Sequence, residues 1–315
     1  MTTVPKVDVV GVGLNATDTV IPVKDFPAGG SKVEIPEVAT MLGGQVASAM
    51  AACQYWGLRA RYVGKLGEDY FAALHGVEFA RLEVETHLLT APGCGSQQAY
   101  ILVDHTGERT VLWKRDKRLT LFPEELQREW IVNARILHLD GHDTAAATLA
   151  AKWARQAGVA VVADLDELYP GIEQLLPNID YLITSRDLPE KLAAKKDLRT
   201  ALPEVFARFG CRLTAATLGS DGVLAWDGQR FHYASAFQVN AVDTTGAGDT
   251  FHAGFIYACR MGWPLQRQLD FACAAAALNC TAFGARGGIQ PVEKIEELMS
   301  KGKRHPAVFE VEASN

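Results

Sequence analysis

The chain has 315 residues, a formal charge of -6, a pI of about 5.8 and 48% hydrophobic residues. These values allow a substantial core and exclude global disorder, and the interspersed charge excludes the bulk basic surface that a nucleic acid requires. No run approaches the roughly 18 consecutive apolar residues of a membrane span, and Met1–Lys6 is not followed by the hydrophobic core of a signal peptide, so the expected location is cytoplasmic with no membrane partner.

Val7–Val10 reads as a first strand, and Gly11-Val12-Gly13-Leu14 turns it toward the polar segment Asn15–Asp18. No third glycine opens a helix at dinucleotide-binding spacing. Val20–Ile35 holds extended pieces broken by Pro22, Pro27 and Gly29-Gly30, which suit a small sheet beside the main one. Gly43-Gly44 precedes a small-residue helix from Gln45 to about Gly57. The paired glycines either admit a ligand hydroxyl to the helix start or permit tight packing. A strand at Arg61–Gly64 follows. Gln98–Val103 and Arg109–Trp113 flank Asp104-His105-Thr106-Gly107 as a hairpin.

The central chain alternates apolar strands with helices. Arg135–Leu139, Val159–Asp164, Tyr181–Ile183 and Cys211–Leu218 are the strands, with a helix at Thr144–Ala157, and this order fits a mostly parallel sheet covered on both faces. Gly219-Ser220-Asp221-Gly222 then turns into Val223–Trp226, as a nucleotide loop or a plain hairpin. Helices are expected over Thr250–Arg260 and Leu265–Leu278, with a flexible loop at Gly284–Gly288. The six cysteines lack Cys-x-x-Cys spacing and read as small buried residues, except that Cys94, in a polar strand approach, is expected to be exposed.

The most informative run is Asp243-Thr244-Thr245-Gly246-Ala247-Gly248-Asp249, just before an apolar helix. Two glycines let backbone amides converge, the helix start adds donors and a positive dipole end, and a carboxylate stands beside them. That arrangement suits proton removal from a hydroxyl while the amides receive phosphoryl charge. Asp249 in place of Lys or Ser argues against a Walker A loop. A capped helix after a glycine turn is the alternative.

Taken in order, Gly11-Val12-Gly13 with Asp18, Gly43-Gly44, Thr217–Gly222 and Asp243–Asp249 resemble the PfkB, or ribokinase-like, carbohydrate kinase family over nearly the whole chain. The resemblance implies an α/β fold, a Rossmann-type three-layer core carrying a small β-sheet lid, with residues 1–315 as one kinase domain and the lid at about 15–40 and 94–115. It implies ATP as phosphoryl donor, Mg²⁺ as cofactor and a carbohydrate acceptor. It assigns Asp249 as catalytic base and Gly246, Ala247 and Gly248 as the anion hole. Asp18, Gly43, Gly44 and Ser48 fall on the acceptor side, Ser48 where the family often has Asn. Ser185, Thr217, Gly219, Gly222 and Asn279 fall on the ATP side. Asp243, Thr245 and the late glycine loop would border a monovalent cation, K⁺.

The family's Asn-x-x-Glu motif is replaced by Ser185-Arg186-Asp187-Leu188, which puts metal geometry in question and leaves Asp187 or Glu190 to compensate. Ser185-Arg186-Asp187 and His138–His142 are similar to ketohexokinase. Asn279-Cys280-Thr281 and Gly284–Ile289 are similar to sulfofructose kinase. Both favour a ketose or ketose derivative. Nucleoside and phosphosugar kinases remain alternatives, as does a sugar-binding regulatory protein on a kinase fold. Lys114-Arg115-Asp116-Lys117-Arg118 reads as a solvated charge run ahead of an anion contact. A homodimer through the lid and a monomer are both open.

Overall fold

The computed structural model describes residues 6–106 and 108–311. In chain order, β1 (Val9–Val12) opens the main sheet and β2 (Ala16–Pro22) and β3 (Ala39–Gly43) leave it. Next come α1 (Gln45–Tyr55), β4 (Ala60–Leu66), α2 (Tyr70–Arg81) and β5 (Glu85–Thr90), then the hairpin β6 (Gln98–Val103) and β7 (Arg109–Lys114). The central units are α3 (Arg128–Val132), β8 (Ile136–Leu139), α4 (Thr144–Gln156), β9 (Ala160–Leu165), α5 (Ile172–Leu175), β10 (Tyr181–Ser185), α6 (Leu188–Ala193) and α7 (Leu198–Phe209). β11 (Leu213–Thr217), β12 (Val223–Trp226), β13 (Phe231–Ala234), α8 (Ala247–Arg260), α9 (Leu265–Asn279) and α10 (Val292–Lys301) complete the fold.

The main sheet has nine strands in the order β13-β12-β11-β10-β9-β8-β1-β4-β5. It is parallel from β5 through β11 and antiparallel at β12 and β13. Side chains alternate between faces along a strand. Val9 of β1 accordingly joins the core under α1, α8, α9 and α10, while Val10 and Val12 join the core under α3 to α7. Alanines let α8 and α9 approach closely: a side chain at Gly254 would meet the Ala272 backbone.

The direction of winding reverses at β1, which lies between β4 and β8, and such a switch point is where a ligand crevice opens beyond the strand ends. The lid leaves from there. It is a separate sheet, β3-β2-β6-β7, whose inner faces bury Val20, Ala99, Ile101 and Val103. The extended run expected over Val20–Ile35 is realised only to Pro22, and residues 24–38 form no strand. Pro22 and Pro27 cannot donate to a ladder, so pairing resumes only at Ala39. The β6–β7 hairpin forms as expected, with Asp104 Oδ1 accepting from the Thr106 and Glu108 amides, while Gly107 of the expected turn lies outside the described residues. Cys94 is buried, contrary to expectation, because its thiol packs with Ala91 and Leu119 beneath the lid approach. No helix among the described residues is long and apolar enough to cross a membrane.

Candidate active site

Helix α8 begins at Ala247, three residues earlier than its apolar stretch suggests. Gly246 is its N-cap in the left-handed region, at φ 73°, and a side chain there would strike the Ala285 backbone. Ala247, Gly248 and Asp249 are therefore the first helical turn, whose amides have no carbonyl one turn earlier in the helix to bond. The Ala247 amide points at the Thr244 carbonyl over a long 3.3 Å, whereas the space beside Gly248 is open.

Asp249 is half-buried on the same turn and makes no hydrogen bond to any described residue. Burial raises its pKa to about 6, opposed by the Arg109 and Arg286 cations and reinforced by Asp140 and Asp166. Behind it, His252 points Nδ1 at the Gly248 carbonyl (2.9 Å) and at Asp164 Oδ2 (3.3 Å). Burial holds His252 near a pKa of 4 and drives Asp164 well above the usual carboxylate range, so the pair anchors the turn with little net charge.

Asp18 lies on β2 where the lid leaves the sheet, and its carboxylate packs against the Cα of Gly43, the last residue of β3. Burial first, then the Asp249 charge, raises Asp18 to about 7, with Arg286 opposing and Asp243 adding. Gly44 caps α1 at φ 94° because a side chain would collide with the Asn15 and Ala16 backbone. Ser48 is buried in the first turn of α1. Asp18 thus lies within electrostatic reach of Asp249, and Gly43 and Ser48 share the Arg286 side chain. Asp140, at the end of β8, joins the crevice with Oδ2 accepting the Leu14 amide at 2.5 Å and Oδ1 accepting from His142 at 3.1 Å.

On the other side of Gly248 lies a cleft of about 600 Å³. Thr217, Gly219 and Gly222 line it, together with Ala247, Phe251 and Ala277. Two of the expected ATP-side residues are placed elsewhere. Ser185 spends its hydroxyl on the Asp166 carbonyl at 3.0 Å and does not line the cleft. Asn279 is fully buried, donating from Nδ2 to the carbonyls of Thr245 (3.1 Å) and Ala285 (3.2 Å). It stitches the catalytic turn to the glycine loop, and Ala276, Ala277 and Cys280 of the same region face the cleft instead.

Asp243 makes a second stitch, accepting from the Thr245 amide through Oδ1 and the Gly284 amide through Oδ2, both at 2.8 Å. Beside it the buried Thr245 Oγ1 and Asn279 Oδ1 have no hydrogen-bond partner among the described residues. Where the family has Glu, Leu188 is fully buried in the core under α6, and burying a leucine stabilises by about 2 kcal/mol, which a carboxylate there would forfeit. Asp187 is exposed and Glu190 is half-buried on α6. Among the described residues no group of three His, Cys, Asp or Glu side chains could hold a metal.

Two further cations reach these surfaces. Arg109, at the start of β7, reaches down from the lid to donate to Thr244 Oγ1 at 2.8 Å. It is the only Lys or Arg lining the cleft among the described residues. Arg286, in the late glycine loop, enters the acceptor side. The basic run supplies neither: Lys114 is exposed, Arg115 is paired with Asp143 at 2.7 Å and Arg118 with Asp116 at 2.7 Å.

The sequence profile of the pfkB family carbohydrate kinases matches residues 6–291. The chain belongs to this family. It is a carbohydrate kinase, a phosphotransferase with an alcohol acceptor. Among similar proteins, an ATP-dependent ribose-1-phosphate kinase from Halopiger xanaduensis is 31% identical over 85% of this chain and 90% of its own. The crystal structure of a protein from Agrobacterium tumefaciens carrying a provisional ribokinase name superposes with a TM-score of 0.87 at 29% identity, covering 94% of this chain and 98% of the other. An Arabidopsis thaliana ribokinase complexed with ribose and ATP shares the fold at a TM-score of 0.76 and 24% identity, over 93% and 98% of the two chains.

Proposed function

We propose that this PfkB kinase transfers the γ-phosphoryl group of ATP to a hydroxyl of a ketose or ketose derivative. The observation that carries the reading is Asp249: a carboxylate with no hydrogen-bond partner, beside first-turn amides, between the Asp18 pocket and the large cleft. In this reading Asp18 accepts hydrogen bonds from acceptor hydroxyls and orients one of them. Asp249 takes that hydroxyl's proton as it attacks in line. Gly246, Ala247 and Gly248 present amides to the γ-phosphoryl oxygens, the Ala247 amide turning from its long contact with Thr244. Thr217, Gly219 and Gly222 hold the nucleotide, and Arg109 brings a cation from the lid to the phosphates, where positioning and charge stabilisation supply most of the catalysis.

Mg²⁺, when bound with the nucleotide, neutralises phosphate charge. Mg²⁺ keeps several waters and needs only one or two carboxylates beside substrate phosphates, so the lack of a three-ligand cluster among the described residues fits it. Asp166, just beyond β9 and felt electrostatically by Asp249, is the carboxylate placed to meet it through water. A monovalent cation such as K⁺ fits beside the turn, where Thr245 Oγ1 and Asn279 Oδ1 lack partners near the Asp243 carboxylate. Asn279, assigned to the ATP side by resemblance, belongs to this ion in our reading.

The lid exposes Tyr100, Val111, Leu112 and Trp113, the last at 64%, and a second copy of the chain covers this face in the proposed homodimer. Unpaired cysteines suit a reducing, cytoplasmic setting. The test is an ATP-coupled screen of neutral ketoses, sugar acids, phosphosugars and nucleosides with product identification. A phosphorylated ketose is expected. Acceptor binding without any acceptor-stimulated ADP release would overturn the kinase mechanism.

A further inference from the structure

Ser48 is buried in the first turn of α1 and offers the acceptor side only a short hydroxyl. A side chain from the opposite end of the sequence fills that part of the pocket. Arg286 donates from Nε to Ser48 Oγ (3.2 Å), from Nη1 to Glu78 Oε2 (2.6 Å) and from Nη2 to the Gly43 carbonyl (3.1 Å). Its side chain is only 8% exposed, and the guanidinium lies 5.6 Å from the centre of the Phe79 ring. Gly43 is also the residue against which the Asp18 carboxylate packs. The acceptor-side residues Asp18, Gly43 and Ser48 therefore gather around one guanidinium.

A guanidinium carries five N–H donors, and these three bonds leave two of them uncommitted. Donors withheld from water at this depth are unfavourable unless a ligand accepts them. Charge decides which ligand. Glu78 balances Arg286 from α2, while Asp18, Asp249 and Asp243 line the surroundings with carboxyl groups. An anionic acceptor would enter against these carboxylates, with the exposed Arg109 as the remaining nearby cation. A neutral polyol meets two N–H donors and carboxylate acceptors, a complementary set.

We infer that Arg286 is a specificity-determining residue of the acceptor site, donating to two adjacent hydroxyl oxygens of a neutral polyhydroxyl acceptor. The inference rests on the kinase reading of the same site. The test combines calorimetric acceptor binding without ATP and coupled kinetics, applied to the wild type, R286Q, R286K and S48N/R286Q. The acceptors are a neutral ketose, its single-deoxy analogues, its phosphate ester and the matching sugar acid.

R286Q is expected to lower kcat/KM for the neutral ketose on the order of 10- to 100-fold, with the ATP KM unchanged. Removing the contacted hydroxyl from the acceptor should then hurt the wild type but no longer hurt R286Q. S48N/R286Q should recover part of the loss. Equal losses for every acceptor, deoxy analogues included, would overturn the inference in favour of a purely structural arginine. A wild-type preference for the phosphate or carboxylate that disappears in R286Q would overturn the neutral-acceptor assignment. Arg286-dependent binding without phosphorylated product would support the inference while sinking the kinase reading.

Discussion

Replacing Asp249 with Asn separates what this carboxylate does for chemistry from what it does to stability. Its pKa lies at about 6 against an ordinary 3.8, and each unit corresponds to about 1.36 kcal/mol, so carrying the charge in the folded state costs up to about 3 kcal/mol. Partial solvent access makes that an upper bound. The sign follows from linkage. Below about pH 4 the group is protonated whether the chain is folded or not, and nothing is lost. Between pH 4 and 6 the unfolded chain ionises first, and above about 6 the full cost is present. Asp249→Asn should therefore melt higher than wild type at pH 8, by up to about 4 °C given the unfolding entropy of a chain of 315 residues, and at the same temperature near pH 4. Its kcat should fall about 10²- to 10⁴-fold with the loss of the base. Calorimetry across pH with acceptor-dependent ADP release measures both. Unchanged turnover in a folded variant, or an Asn variant less stable than wild type at pH 8, would refute the reasoning.

The same shifts give kcat/KM an acidic limb: activity should fall as pH drops through 7 to 6, where Asp18 and then Asp249 take up protons, and a limb near pH 4 would contradict it. Arg109→Gln should lower kcat by roughly 10²-fold or more with little change in acceptor KM, and Arg109→Lys should recover part of it, as single-turnover kinetics would show. Thr245→Val and Asn279→Leu should abolish activation by K⁺ at constant ionic strength; equal K⁺ response in variant and wild type would remove the ion from this turn. Trp113→Asp should shift sedimentation from dimer toward monomer at micromolar concentration, and an unchanged profile would count against the lid face as the interface.

The parallel core was legible because its strands are short apolar runs between helical stretches, and buried parallel strands look alike wherever they occur. β5, with the sequence Glu-Thr-His-Leu-Leu-Thr and half-buried positions, carries no such run and sits at an edge, so it was not seen. The lid's β3 was hidden by the irregular residues before it. Within the candidate site, Asp249, Asp18 and the glycines can be proposed from sequence because each belongs to a contiguous motif. Arg109 and Arg286 act through contacts 135 and 238 residues away in sequence, which no local pattern encodes. A long cation set among glycines in the Gly284–Gly288 loop was the available hint for Arg286. Ser48 was visibly unusual from the sequence alone, but what faced it required the fold. The direction of the Asn279 amide, toward Thr245 and Ala285, is not encoded by its helix position alone.

The loop from Gly284 to Arg286 binds Asp243 through one amide, receives Asn279 through one carbonyl and hands a guanidinium to Ser48 and Gly43. Three consecutive residues thus touch the Asp243–Asp249 turn, the Asn279 amide and the Gly43–Ser48 helix start at once. In the proposed reading such sharing makes substrate preference difficult to evolve in isolation, since a substitution that retunes the acceptor side also disturbs the proposed ion and base. Laboratory selection for a new acceptor should accordingly collect compensating changes at Asn279 or Thr245 after any change at Arg286, far from the sugar itself.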